Sequence, residues 1–276
     1  ARDLFSPFAK TLHQIQPYTR HLPAPIRTMT DQLSILGFVP QMLFERTPDD
    51  LFDAMSASHI DGCVVIAHPP YCTNEFVLAL AKKKPSIIPA VNVPINASRP
   101  SIALKNYIQD GAKILKIHAA ADGEDLSSTR YNSLLKTATE NQMPVIIHTG
   151  MISLKPAYKN PALGNVLLFE KWFKNYPSTP FILAHMNFHK PTHAFELAER
   201  YPNLYVDTSW QPAETIAEAS RRIGADRVLF ASDWPIIGQN MHVSLKRVYD
   251  AVNMGLVSHE DSRKILYLNA KKLLGL

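Results

Sequence analysis

Long apolar runs are missing from this sequence. No segment approaches the roughly 18–20 uninterrupted apolar residues of a bilayer-spanning helix, so no membrane role is expected. The opening residues do not read as a secretory signal. Cysteine is scarce: Cys63 and Cys72 are the only two in 276 residues. A chain of this length that is 46 % hydrophobic can bury an adequate core without disulfides. The two thiols lie in an apolar stretch and the loop after it, and read as reduced cysteines of a cytoplasmic protein.

Extended basic stripes are absent too. The net charge is +5, yet the longest basic run is Lys82-Lys83-Lys84. It falls where a helix end is expected, and there it complements the negative end of the helix dipole. Nucleic acid requires a longer basic surface with interleaved aromatics. A modest positive excess favours a small anionic substrate instead. Neither G-x-G-x-x-G nor G-x-x-x-x-G-K-[ST] occurs, which removes the commonest nucleotide-phosphate loops. No low-complexity tract or linker divides the chain. Residues 1–276 read as one domain, with an irregular N-terminal segment over 1–46 that carries five prolines. The chain opens without Met on "ARDLFSPFAK", and residues upstream of Ala1 are expected.

What is present is an alternation of two patterns. Short Val- and Ile-rich runs recur as "GCVVIA" (62–67), "SIIPAVNV" (86–93), "KILKIH" (113–118), "PVIIHT" (144–149), "FILAHM" (181–186), "NLYVDT" (203–208) and "RVLFASD" (227–233). They lack polar alternation, as strands buried on both faces do. Amphipathic stretches with helical spacing separate them. "TPDD" places Thr47 as an N-cap and Pro48 at the first helical position, which predicts a helix from Pro48 to about Ser58. Seven strands alternating with helices fit a doubly wound sheet or a (β/α)8 barrel. His68, His118, His148, His185, Asp207 and Asp233 lie at or near strand C-terminal ends. An open sheet needs few special strand ends, whereas a barrel gathers all of them around one mouth. A (β/α)8 TIM barrel is therefore expected, with its first strand missing or replaced.

Three positions stand out. His148 in "VIIHTG", His185 in "ILAHMN" and Asp233 in "FASDWP" each follow apolar residues and then meet small or polar ones. In a barrel they converge on one cavity. Two imidazoles and a carboxylate suit a divalent ion such as Zn²⁺, whose bound water would lose a proton to a nearby base.

"PVIIHTG", "PFILAHMN", "NLYVDTSW", "RVLFASDWP" and "ILYLNAKKLLGL" resemble, in order, the strand-end signatures of the amidohydrolase-related family, and "AKILKIHA" resembles its fourth-strand segment. The resemblance covers roughly residues 47–276. It implies a barrel of the family that includes metal-dependent hydrolases, non-oxidative aromatic-acid decarboxylases and lactone hydrolases. It also implies His148 and Asp233 as metal ligands, His185 as the histidine that binds or orients the attacking water, and Asp233 as general base. That family carries His-x-His on its first strand, and no His-x-His occurs here. His13 and His21 follow no apolar strand, and "LSILGFV" (33–39), the one apolar segment able to replace that strand, holds no histidine. A catalytic zinc site usually has three protein ligands plus water, so this chain is short of ligands.

Other residues fill out the expected site. Lys116 and His118 alternate with Ile117 and share a side, from which they can grip a substrate carboxylate or an oxyanion. Tyr71, in the stiff "HPPY" loop, and Trp210 and Trp234, after strand ends, are candidate substrate contacts. The loop 150–165, with Lys155, Tyr158 and Lys159, is a candidate lid. The expected function is metal-dependent hydrolysis or decarboxylation of a small carboxylate-bearing compound. The alternatives are a metal-independent lactone hydrolase and a non-catalytic degenerate barrel. Partners beyond the substrate are limited to further copies of the chain.

Overall fold

The computed structural model describes residues 46–151, 158–235 and 241–276, together with Pro23 and Ile26. Segment 33–39, His13, His21 and Lys155 lie outside the described residues. Helix α1 (Pro48–Ala57) leads into strand β1 (Cys63–Ile66). Then follow α2 (Asn74–Lys83), β2 (Ile87–Val91), α3 (Pro100–Gln109), β3 (Ile114–Ile117), the single turn α4 (Ala119–Asp122), α5 (Thr129–Glu140) and β4 (Val145–His148). The second half runs α6 (Glu170–Asn175), β5 (Phe181–Ala184), α7 (Pro191–Arg200), β6 (Leu204–Asp207), α8 (Ala213–Ile223), β7 (Val228–Leu229), α9 (Met241–Asn253), α10 (His259–Arg263) and α11 (Asn269–Leu274).

Local chemistry sets these boundaries. A capping box starts α1: Thr47 Oγ1 accepts from Asp50 N at 3.3 Å, and Asp50 Oδ2 accepts from Thr47 N at 2.8 Å. Lys82 and Lys83 occupy the last turn of α2, where the carbonyl end of the dipole favours cations. Strand β7 is shorter than its apolar run because Phe230 N bonds to Ile265 O at 2.9 Å and leaves the ladder.

All seven strands are parallel, and each pairs with its neighbour in sequence, from β1 to β7. The strand order never reverses, so the sheet has no switch point of the doubly wound kind. The crossover helices pack on one face, and the sheet curls into a half-barrel with them outside it. Period-2 alternation sorts the side chains. Leu115, Ile117, Val145, Ile147, Phe181, Leu183, Leu204 and Val206 pack outward against the helices, in the main core with Tyr131, Phe169, Phe173 and Phe195. Ile114, Ile146, Ile182 and Ala184 face inward as a second apolar layer, against which α11 lays Leu273 and Leu274. The strand ends just beyond that inner layer carry the polar residues. Both cysteines are free thiols. Among the described residues, no helix is long and apolar enough to cross a membrane.

Candidate active site

The inward positions of β3 and β4 continue past the apolar layer into Lys116, His118 and His148, and the left-handed turn after β5 adds His185. These four side chains are buried, at 6–8 % exposure, despite their polarity. With Asp207, Ser209, Trp210 and Asp233 they line a cavity of about 1560 Å³ inside the curl. The rings of His118 and His148 stack face to face, with centroids 3.9 Å apart and planes 10° apart. His185 meets His148 edge-on at 5.1 Å. Tyr158 closes over the stack, 4.8 Å from His118 and 5.6 Å from His148.

The backbone that presents His185 is unusual. His185, Met186, Asn187 and Phe188 have φ of 63°, 48°, 59° and 49°. A left-handed non-glycine residue costs about 1–2 kcal/mol, so four in succession require external restraint. Three buried side chains supply it. Gln211 Nε2 donates to His185 O at 2.7 Å and to Phe188 O at 3.1 Å. Thr149 Oγ1 donates to Ala184 O and accepts from Asn187 N at 2.9 Å. Asn187 Oδ1 accepts from Val166 N at 3.2 Å, and its Nδ2 donates to Lys190 O at 2.9 Å. Gly150, at φ 107°, lets the chain pass: a Cβ there would lie 2.6 Å from Phe188 Cβ.

A second network lies beneath His185. Asp207 Oδ1 accepts from His185 N at 3.0 Å, from Ser209 N at 3.1 Å and from the Ser209 hydroxyl. Ser209 Oγ in turn lies 2.7 Å from His185 Nδ1. On the neighbouring strand end, Asp233 Oδ2 accepts from Trp210 Nε1 at 2.7 Å. His118 caps the α4 turn, with its Nδ1 accepting from Ala121 N at 3.2 Å.

Burial dominates the electrostatics. It pushes His118 and His148 well below the usual imidazole range and His185 down to about 3, with the Lys116 ammonium adding to each. All three imidazoles are therefore neutral at pH 7. Desolvation also lowers Lys116 to about 8, although Asp233 and Asp207 pull it back up. Burial raises Asp233 to about 6, against the Trp210 hydrogen bond and Lys116. Burial raises Asp207 as well, so the cavity sets one ammonium beside two carboxyl groups whose protonated form burial favours, among neutral rings.

The structure brings Lys116, His118, His148, His185, Trp210 and Asp233 to one cavity. Tyr71 lies at its rim, 53 % exposed, with its ring 6.2 Å from that of His68. Trp234 lines the cavity but also packs with Leu51, Met55, Ile87 and Met241 beneath α1. Ser209, Gln211, Thr149 and Asn187 escaped the sequence reading. Ser209 had a usable signal, because it lies two positions after Asp207 and continues the inward alternation of β6.

Among the described residues, no three His, Cys, Asp or Glu side chains form a group able to hold a metal ion. One Asp233 oxygen is committed to Trp210 and His118 Nδ1 to the α4 cap, while His148 Nε2 is buried without a hydrogen-bond partner among the described residues. The described donors do not fit a site with three protein ligands.

Known folds match this architecture. An uncharacterized TIM-barrel protein from Bordetella bronchiseptica is 20 % identical over all of this chain and 92 % of that one, with a TM-score of 0.70. The 2,6-dihydroxybenzoate decarboxylase from Rhizobium is 18 % identical over 94 % of this chain and 95 % of that one, with a TM-score of 0.66. A dihydroxybenzoic acid decarboxylase from a Polaromonas species, with bound manganese and the inhibitor 2-nitroresorcinol, is 18 % identical over 84 % of this chain and 86 % of that one, with a TM-score of 0.65. No curated protein matches the sequence significantly. The amidohydrolase family profile matches residues 40–276. With its curled parallel sheet and polar strand ends, this chain belongs to the amidohydrolase family and is an enzyme of that type.

Proposed function

We propose that the cavity binds a small carboxylate-bearing compound and decarboxylates it without oxidation. The observation that carries this reading is the placement of the Lys116 ammonium, buried and lining the same cavity as Asp233 and His118. A desolvated cation with no carboxylate of its own in hydrogen-bond contact among the described residues is a ready anchor for a substrate anion. Anchoring leaves Asp233 to manage the proton. In the reaction the carbon–carboxylate bond breaks, CO₂ leaves, and a proton replaces it on carbon. Asp233, which burial raises to about 6, is the candidate donor in its protonated form and regains its proton from solvent after each turnover, and Trp210 and Tyr158 exclude water around it. The structural likeness to two dihydroxybenzoate decarboxylases supports this choice.

Hydrolysis of a carboxylate-bearing ester or lactone is the second reading. It is favoured by His185, whose Nε2 makes no hydrogen bond to a described residue and can take a proton from water. In both readings His148 packs the rings in place, and Tyr71 and Trp234 flank the entrance. The donor set of the described residues gives no reason to route a step through a metal ion.

The test is a panel of hydroxybenzoates, carboxylated lactones and their uncharged amides. CO₂ release and acid release are followed before and after exhaustive chelation, and again after Mn²⁺ or Zn²⁺ is added. Turnover of a carboxylate, with its amide left unreacted, is the expected result. Preferential turnover of the amides, or none of any carboxylate by folded protein with either metal, would overturn the reading. Activity that vanishes on chelation and returns with metal would restore the metal-dependent form.

A further inference from the structure

We propose that Asp207 and Ser209 lock His185 as its Nδ1–H tautomer, while the α4 cap locks His118 as the opposite one, so that the cavity holds one imidazole acceptor and one imidazole donor. The argument is hydrogen-bond accounting at named atoms. Asp207 Oδ1 already accepts the backbone N–H groups of His185 and Ser209. The hydrogen shared with Ser209 Oγ therefore belongs to the serine. With its only hydrogen spent on Asp207, Ser209 Oγ has lone pairs alone to offer His185 Nδ1 at 2.7 Å. Nδ1 must then carry the hydrogen, and neutral His185 turns a bare Nε2 to the cavity.

His118 obeys the same rule with the sign reversed. Its Nδ1 accepts the Ala121 N–H, so that nitrogen carries none. Neutral His118 then has its hydrogen on Nε2. Neutrality follows from the same bond, because a cationic ring would carry hydrogens on both nitrogens and Nδ1 could not accept. The two tautomers divide the work. His118 donates to an anionic or carbonyl oxygen, and His185 accepts from a hydroxyl or a water. Asp207 and Ser209 touch no reacting atom in this scheme and act as positioning residues through His185. The catalytic consequence rests on the function proposed above, whereas the tautomers do not.

The experiment uses the full chain labelled with [¹⁵N]histidine. Long-range ¹H–¹⁵N correlation spectra separate protonated from bare ring nitrogens, with His118→Gln and His185→Gln for assignment. In the wild type, His185 should show a protonated Nδ1 and bare Nε2, and His118 the reverse. Ser209→Ala should move the His185 signals to the averaged positions of exchanging tautomers, and Ser209→Thr should restore them. With a turned-over carboxylate in hand, kcat for Ser209→Ala should fall about 10–100-fold, the usual scale for losing a partner that orients a histidine. KM should change little, and Ser209→Thr should recover kcat. A wild-type His185 protonated at Nε2, a His118 protonated at Nδ1, or ring signals unmoved by Ser209→Ala would each overturn the proposal. If Ser209→Ala fails to fold, the wild-type spectrum alone decides. The spectrum needs no substrate, so correct tautomers with no carboxylate turned over would sink the proposed function and leave this inference standing.

Discussion

The indole Nε1 of Trp210 donates to Asp233 Oδ2 at 2.7 Å, and both residues have left-handed backbones, with φ of 67° and 55°. Two strand ends thus hold strained conformations that face each other across one hydrogen bond. Strain of this kind persists only where the surroundings over-determine it. Trp210→Phe keeps an aromatic ring against Phe188, whose centroid lies 5.8 Å away, but deletes the donor. The lost bond favours the ionised carboxylate. Urea unfolding should therefore show a destabilisation of about 1–3 kcal/mol that is larger at pH 8 than at pH 5. A loss that is the same at both pH values would mean that the bond does not act on the charged form.

Gln211 carries a second expectation. It is buried, and its amide bridges the carbonyls of His185 and Phe188, the two ends of the left-handed run. Gln211→Ala would leave both carbonyls without that donor and remove a restraint on the strained turn. The expected cost is about 2–4 kcal/mol, the scale of one or two buried unsatisfied groups. Amide hydrogen exchange should rise first over residues 185–190. Protection that stays native there would show that Thr149 and Asn187 hold the turn unaided.

The sequence announced the parallel sheet because a strand buried on both faces leaves a plain mark, seven times over. It also set Lys116 and His118 on one side of β3 without saying which: residues 114, 116 and 118 alternate with Leu115 and Ile117, and the structure turns those three inward. The left-handed run left no such mark. His185, Met186, Asn187 and Phe188 contain no glycine, and apart from Asn187 itself the side chains that restrain them, Thr149, Asp207 and Gln211, come from positions 22–38 residues distant. Local propensity cannot register such partners. The same distance hid the ring stack of His118 on His148, which joins the ends of two strands. The early end of β7 depends on a bond from Phe230 to Ile265, again far along the chain.

Lys116 yields the most direct test of substrate charge. Lys116→Met removes the buried cation and roughly keeps the side-chain volume. A benzoate-type ligand measured by calorimetry should bind about 10–150-fold more weakly, the value of a charged hydrogen bond of about 1.5–3 kcal/mol. The corresponding benzamide should bind as it does to the wild type. Equal losses for both ligands would place the effect in cavity shape rather than charge.

Asp122 gives a pH-dependent prediction away from the proposed chemistry. Its carboxyl accepts from Tyr131 Oη at 2.8 Å, and burial raises it from 3.8 to about 6, while the tyrosine bond and Lys159 pull it down. A folded value above the unfolded one means that the native state holds its proton more tightly. Between pH 3.8 and 6 the folded chain binds more protons than the unfolded chain, so stability falls as pH rises through that window. Below pH 3.8 the group is neutral in both states; above pH 6 the folded state bears a buried charge. Asp122→Asn keeps an acceptor for Tyr131 and cannot ionise. The variant should match the wild type at pH 3.5 and exceed it at pH 7.5 by roughly 1–2 kcal/mol, a figure reduced from the full shift because the side chain is partly exposed. Paired urea titrations across that range check it. A stability difference that is flat with pH, or one that favours the wild type at pH 7.5, would show that Tyr131 and Lys159 stabilise the Asp122 charge more than burial opposes it.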